Sequence, residues 1–262
     1  MLDWPEYKWS LVDVHAHLYG EAFAGDMEQV LLRAGRAGVG CILAVSETLE
    51  DAEEILELSR NEPMVKPCAG LHPESAGVEE LEGMLLFIRN HSMRLVAVGE
   101  VGLDFWVAKD ERAREMQRKV LSAQVALALE LDLPLNVHSR SAGKHTIELL
   151  RQLGAQKVLL HAFDGRASSA ALGLEAGYYF SMPPSLVRSP QKQKLVRHLP
   201  LERLLLESDS PVLGPTVQDR NEPANLRVTC SEIARIKGVS EEEVARITTQ
   251  NAQKLFPKAF IY

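Results

Sequence analysis

The sequence predicts an α/β fold, a single-domain (β/α)8 TIM barrel over residues 1–262, and three observations carry that expectation. Short apolar segments rich in Val, Leu and Ile alternate with longer amphipathic ones along the whole chain. The short segments show little strict apolar–polar alternation, as parallel strands covered on both faces do. The chain has 262 residues, close to the roughly 250 that such a barrel takes as one domain. No Pro/Gly/Ser-rich linker, low-complexity tract or internal repeat divides it.

In order, strands are expected at 11–15 (LVDVH), 39–45 (VGCILAV), 65–70 (VKPCAG), 95–100 (LVAVGE), 134–138 (PLNVH), 157–161 (KVLLH), 176–181 (AGYYFS) and 203–208 (RLLLES). Helical periodicity fills the intervals, near 26–37, 49–60, 78–91, 110–132, 144–153, 167–175 and 190–198, and continues at 224–237 and 240–255. An open doubly wound sheet would carry a glycine-rich phosphate loop after its first strand. His-Ala-His-Leu-Tyr-Gly stands in that place, which favours the barrel.

Composition narrows the function. The opening MLDWPEYKWS has no basic segment followed by an apolar stretch, so no secretory signal is expected. No apolar run approaches the ~20 residues of a membrane span. An intracellular protein, cytoplasmic or nuclear, with no membrane attachment and no obligate protein partner is expected. Cys41, Cys68 and Cys230 lack metal-ligand spacing, and Cys41 and Cys68, inside apolar runs, read as small buried hydrophobes. A net charge of −7 argues against wholesale wrapping of nucleic acid but leaves room for a local cationic site.

Chemistry concentrates at strand ends. Residues two apart on a strand share a face, so His15 and His17 aim at one point. Later ends supply His72, Glu100, His138, His161 and Asp209, where a barrel places its active site. His91, His145 and His198 fall on helices and read as surface or capping residues. Four imidazoles (15, 17, 138, 161) and two carboxylates exceed what one tetrahedral ion needs, so two divalent ions sharing Glu100 are expected. Such a pair holds a bridging hydroxide and stabilises attacking and leaving oxygens. The alternative is a satisfied polar network filling the barrel mouth.

The chain resembles the TatD-type deoxyribonucleases, metal-dependent hydrolases of the amidohydrolase superfamily. The resemblance rests on VDVHAHL (12–18), GLHPE (70–74), AVGEVGLDF (97–105), PLNVHSR (134–140), LLHAFDG (159–165), LLLESDSP (204–211), RNEPANL (220–226) and NAQKLF (251–256). It implies a TIM barrel that cleaves DNA phosphodiesters as a 3′-exonuclease or abasic-site endonuclease. It also implies that His15 and His17 bind one metal, that Glu100 bridges to a second held by His138 and His161, and that Asp209 ligates the first and manages the nucleophile's proton. His72, Ser139 and Arg140 are implied as contacts to substrate phosphate, with His72 counted among the catalytic residues. The ions are Zn2+, Mg2+ or Mn2+.

Three places depart from the family pattern. Ser208 precedes the aspartate where Thr is common, Asp164 replaces a Ser or Thr, and Ser-Met-Pro-Pro-Ser (181–185) replaces a glycine-containing stretch. The last two bear on substrate preference. Asp13 reads as a structural hydrogen-bonding residue one layer below His15. Glu207 and Asp104 read as partners that orient the ligands. Lys109, Lys144, Arg166 and Arg220 are candidate phosphate contacts, and Trp4, Trp9 and above all Trp106 are candidates for base stacking.

Hydrolysis of DNA is therefore the leading expectation. The alternatives are a dinuclear amidohydrolase acting on a lactone, amide or small phosphoester, and a metal-stabilised binding protein without turnover. A bridging Glu100, where amide-cleaving relatives commonly use a modified lysine, favours the first.

Overall fold

The computed structural model describes residues 10–261, so Trp4 and Trp9 lie outside the described residues. Eight strands pair in chain order, every pair parallel: β1 (Leu11–Ala16), β2 (Val39–Ala44), β3 (Val65–Ala69), β4 (Ala97–Gly102), β5 (Leu135–His138), β6 (Val158–Leu160), β7 (Tyr179–Met182) and β8 (Leu204–Leu206). The helices between them are α1 (Met27–Arg36), α2 (Leu49–Asn61), α3 (Val78–His91), α4 (Glu111–Glu130), α5 (Gly143–Gln152), α6 (Ala167–Glu175) and α7 (Pro190–His198). α8 (Leu226–Lys237) and α9 (Glu241–Leu255) follow β8. Unbroken strand order with a helix after each strand is the barrel the alternation predicts.

Residues just past β8 close the ring. The Asp209 N–H donates to the His15 carbonyl at 2.9 Å, and the His17 N–H donates to the Ser210 carbonyl at 2.8 Å. Inside, Leu159 and Leu205 share the strand face of His161 and Glu207. They belong to an apolar cluster with Val12, Leu43 and Cys68 that reaches Phe256 and Ala259 after α9. Asn251 on α9 anchors this floor, donating to the carbonyls of Leu201 and Leu204 where β8 begins. Phe256 is fully buried, and truncating a buried Phe to Ala typically costs ~3–5 kcal/mol. A larger cluster, including Leu11, Val30, Ile55, Ile88, Leu121 and Ile147, fills the space between sheet and helices.

Helix starts are chemically marked. Thr48 and Asp51 form a capping box at α2, while Asp110 and Ser240 accept from the backbone at the starts of α4 and α9. The expected strand at 176–181 begins later, at Tyr179, because the chain first leaves α6 through Gly177 at φ 80. Short 3-10 turns at Pro73–Ser75, Pro184–Arg188, Pro223–Asn225 and Pro257–Phe260 were not foreseen, and each starts on a proline whose fixed φ suits a first helical position. Among the described residues no helix is long and apolar enough to cross a membrane. All three cysteines are buried thiols, and burial pushes Cys41 up to about 12.

Two glycines let the central strands approach closely. A Cβ on Gly70 would fall 2.8 Å from the Glu100 carbonyl oxygen, and one on Gly99 would fall 2.6 Å from the Asn136 Cβ. Backbone without side chains here brings Glu100 and Asn136 in beside β1.

Candidate metal centre

Glu100 lies at the middle of the barrel mouth, 2 % exposed, and its two carboxylate oxygens divide the surrounding groups. Oε2 faces His15 Nε2 at 3.4 Å and His17 Nε2 at 3.5 Å. Oε1 faces His138 Nδ1 at 2.7 Å, His161 Nε2 at 2.8 Å and His72 Nε2 at 3.5 Å. Asp209 joins the first group, with Oδ1 at 3.7 Å from His15 Nε2 and 3.4 Å from His17 Nε2. It sits in the left-handed region, φ 53, where its backbone N–H completes the seam with β1. All six residues read as metal ligands from the sequence are thus brought together, along with His72.

The outer atoms of the rings decide which nitrogen faces inward. Asn136 Nδ2 donates to the Val14 carbonyl at 2.8 Å, so its Oδ1 accepts from His15 Nδ1 at 2.9 Å. The Tyr19 hydroxyl donates to Glu47 at 2.8 Å and therefore accepts from His17 Nδ1 at 3.0 Å. His138 Nε2 donates to Asp104 Oδ2 at 3.0 Å. Each ring spends its outward N–H and turns a lone pair inward. His72 is arranged the other way: Nδ1 accepts from the Glu74 N–H at 3.2 Å, so Nε2 keeps the proton that points into the site. Burial pulls His72 down to about 4, so it is a neutral donor at neutral pH.

This arrangement tests whether the residues suit a cation. His15 Nε2 and His17 Nε2 are 3.2 Å apart, as are His138 Nδ1 and His161 Nε2. Facing lone pairs at that distance repel unless a proton or metal ion sits among them. The neighbouring carboxylates make the same demand. Against the cost of burial, hydrogen bonds to Asp104 and Glu100 push His138 up to about 9. Asp209 and Glu100 likewise raise His17 against burial, and Glu100 and Glu207 raise His161. Glu100 and Asp209 are themselves held low, Asp209 at about 2, because the surrounding imidazoles outweigh desolvation. His161 Nδ1 is buried with no hydrogen-bond partner, 3.6 Å from Glu207 Oε2. Buried imidazole nitrogens and carboxylate oxygens that converge and call for positive charge fit divalent ions.

The remaining predicted residues fall around this centre. Glu207 accepts from the Ala162 N–H at 2.8 Å and from the Ser181 hydroxyl at 2.7 Å, which holds the turn carrying His161. Asp104 accepts from His138 and from the backbone of Trp106 and Val107. Asp13 accepts from the Ser208 N–H at 2.8 Å and takes no part in the cluster. Ser139 is buried and Arg140 exposed, directly after His138. Trp106 is 56 % exposed. Asp164 accepts from the Ser141 N–H at 3.1 Å, which fastens the rim loop.

Two candidate phosphate contacts are already engaged. Arg220 makes a forked pair with Asp26, and Lys144 pairs with Glu148.

Tyr19, Glu47 and Asn136 escaped the sequence reading, as did Lys192, a buried lysine on α7 that donates to the Ala162 carbonyl at 2.6 Å. Asn136 and Tyr19 did carry a signal. Each lies two residues from a predicted ligand, and Asn136 shares the β5 face of His138.

Comparison with known proteins follows the same geometry. Residues 12–257 match the family model described as "TatD related DNase". The chain is 51% identical over 260 residues to a Homo sapiens protein named deoxyribonuclease TATDN3, covering 95% of each. It is 33% identical over 255 residues to the Bacillus subtilis protein named uncharacterized metal-dependent hydrolase YabD, covering 94% of this chain and 98% of the other. Among solved structures, YjjV, a TatD homolog from Escherichia coli, superposes with a TM-score of 0.87 at 29% identity, over 94% of this chain and 98% of its own.

Proposed function

Because the chain belongs to the TatD-related DNase family, we propose that it hydrolyses DNA phosphodiester bonds at the cluster around Glu100. Its action would be that of a 3′-exonuclease or abasic-site endonuclease. The observation that carries this reading is the division of labour at Glu100: Oε2 serves His15 and His17, and Oε1 serves His138 and His161. That pattern suits two divalent ions sharing one carboxylate, the first held by His15, His17, Asp209 and Glu100, the second by Glu100, His138 and His161. Such ions supply an acidified water and neutralise charge on the phosphoryl oxygens.

The protein's own groups do the rest. Asp209, ionised and beside both His15 and His17, receives the proton of the attacking water and returns it to the leaving oxygen as the P–O bond to that oxygen breaks. His72 donates a hydrogen bond from its Nε2–H to a non-bridging phosphoryl oxygen and keeps the proton, as its backbone-fixed tautomer allows. Arg140 offers its planar fork to substrate phosphate at the entry to the site, and Ser139 lines the approach. Asn136, Tyr19 and Asp104 fix the rings, so that little reorganisation accompanies the reaction.

The test is hydrolysis of a 3′-labelled single-stranded DNA and of an abasic-site duplex, by protein stripped of metal and resupplied with Mg2+, Mn2+ or Zn2+ separately. Cleavage restored by metal and abolished in Glu100→Ala is the expected result. Absence of cleavage in protein shown to bind its ions overturns the nuclease reading.

A further inference from the structure

Two cations at the rim of the mouth share one aromatic partner and, unlike some basic residues of this acidic chain, pair with no carboxylate. Arg33, Arg60, Arg89, Arg118 and Arg235 all pair with carboxylates. Lys109 and Arg140, although the chain has 36 acidic residues against 29 basic ones, form no ion pair among the described residues. Both are held by one indole instead: Lys109 Nζ lies 4.7 Å, and the Arg140 guanidinium carbon 5.0 Å, from the Trp106 ring centroid. A cation–π contact orients a cation without neutralising it, so both N–H arrays remain available to an anion.

The surrounding carboxylates are committed elsewhere. Asp104 accepts from Trp106, Val107 and His138, Asp110 caps α4, and Asp164 accepts from the Ser141 N–H. Both arms are anchored to the site. The Phe105 N–H donates to the Arg140 carbonyl at 3.1 Å, and the Trp106 N–H donates to Asp104 Oδ1 at 2.7 Å, while the other oxygen of Asp104 holds His138. The segments that carry the two cations are thereby tied to Asp104 and His138, and His138 Nδ1 lies 2.7 Å from Glu100 Oε1.

We infer that Lys109, Trp106 and Arg140 form a clamp for the phosphate next to the one being cleaved, which makes the substrate an oligonucleotide rather than an isolated phosphodiester. The inference rests on the nuclease reading above. In it Arg140 supplies a fork, Lys109 a point charge, and Trp106 is the platform that presents both, with its indole spent on the cations instead of on a base.

Binding of a short fluorescein-labelled oligothymidylate to the chelated protein, followed by anisotropy across a salt titration, tests it. Lys109→Gln is expected to weaken binding roughly three- to tenfold and to flatten the log–log salt dependence by about 0.7, the contribution of one phosphate contact on a single strand. Trp106→Ala does at least as much, and Trp106→Phe, which keeps an aromatic face, recovers most of the loss. With metal restored, Lys109→Gln raises KM for the oligonucleotide several-fold more than KM for bis(p-nitrophenyl) phosphate. An unchanged salt slope in Lys109→Gln, or no measurable binding by the unsubstituted protein, overturns the clamp. Weaker binding by Trp106→Ala at an unchanged slope also overturns it and assigns the indole to base stacking. DNA cleavage by the unsubstituted protein is scored separately: cleavage with undiminished binding by the variants sinks the clamp alone, and binding without cleavage sinks the nuclease reading alone.

Discussion

The two halves of the centre are built from similar rings but braced differently. His15 and His17 lean on neutral groups, the Asn136 amide and the Tyr19 hydroxyl, and have Asp209 beside them as an additional carboxylate. His138 and His161 have no second inner carboxylate, and their outward sides meet carboxylates, Asp104 and Glu207. A carboxylate behind an imidazole makes it a more basic ligand. One half thus places its negative charge in contact with the reacting groups, and the other places it behind them. On the proposed reading, the first half is arranged for chemistry and the second for holding.

Four substitutions sharpen or break this contrast, in descending order of effect. Asp209→Asn removes the charge proposed to serve as both ligand and proton acceptor. Turnover falls by ~10³-fold or more, and bound metal drops towards one ion per chain by elemental analysis, with the circular dichroism of the fold retained. Asp104→Asn leaves the reacting groups in place but unbraces His138. Metal affinity of that half falls ~10–100-fold by calorimetry, and saturating metal restores most of the activity. Tyr19→Phe removes only a neutral brace from His17, and the loss of affinity is smaller, about threefold to tenfold. A larger loss than in Asp104→Asn would invert the comparison.

The smallest effect belongs to the rim. Asp26 is brought down to about 2 by hydrogen bonds from Arg220 and Arg33. Its folded value lies below its unfolded 3.8, so its contribution to stability is complete above about pH 4 and lost as the pH falls towards 2. Asp26→Asn removes that acid-dependent part of the melting temperature and leaves turnover at neutral pH as it was.

The same contrast explains what could be read from the chain. Strands covered on both faces announce themselves as apolar runs, and a ligand that ends such a run, like His138 in LNVH, stands out against it. Of the bracing groups, Asp104 and Glu207 were legible, but those that meet across distant elements were not: His15 meets Asn136 across 121 positions, and Tyr19 meets Glu47 across 28. Face parity would have found Asn136, the one polar residue before His138 within β5. Glu47 lies beyond the end of β2, where strand parity no longer applies. The pairing of Arg220 with Asp26 was equally hidden, since 194 residues separate them and only the closed barrel makes them neighbours.

The seam between the last strand and the first also bears on how the molecule comes into being. The Asp209 N–H on the His15 carbonyl and the His17 N–H on the Ser210 carbonyl join residues from opposite ends of the chain. Contacts so distant in sequence are entropically the costliest to form and tend to form late. The bonds that shut the cylinder are therefore also the ones that set Asp209 against the two histidines. A chain with its seam open has only half a centre. Amide exchange at His17 and Asp209 would report, in one signal, both whether the ring is shut and whether the protein is competent.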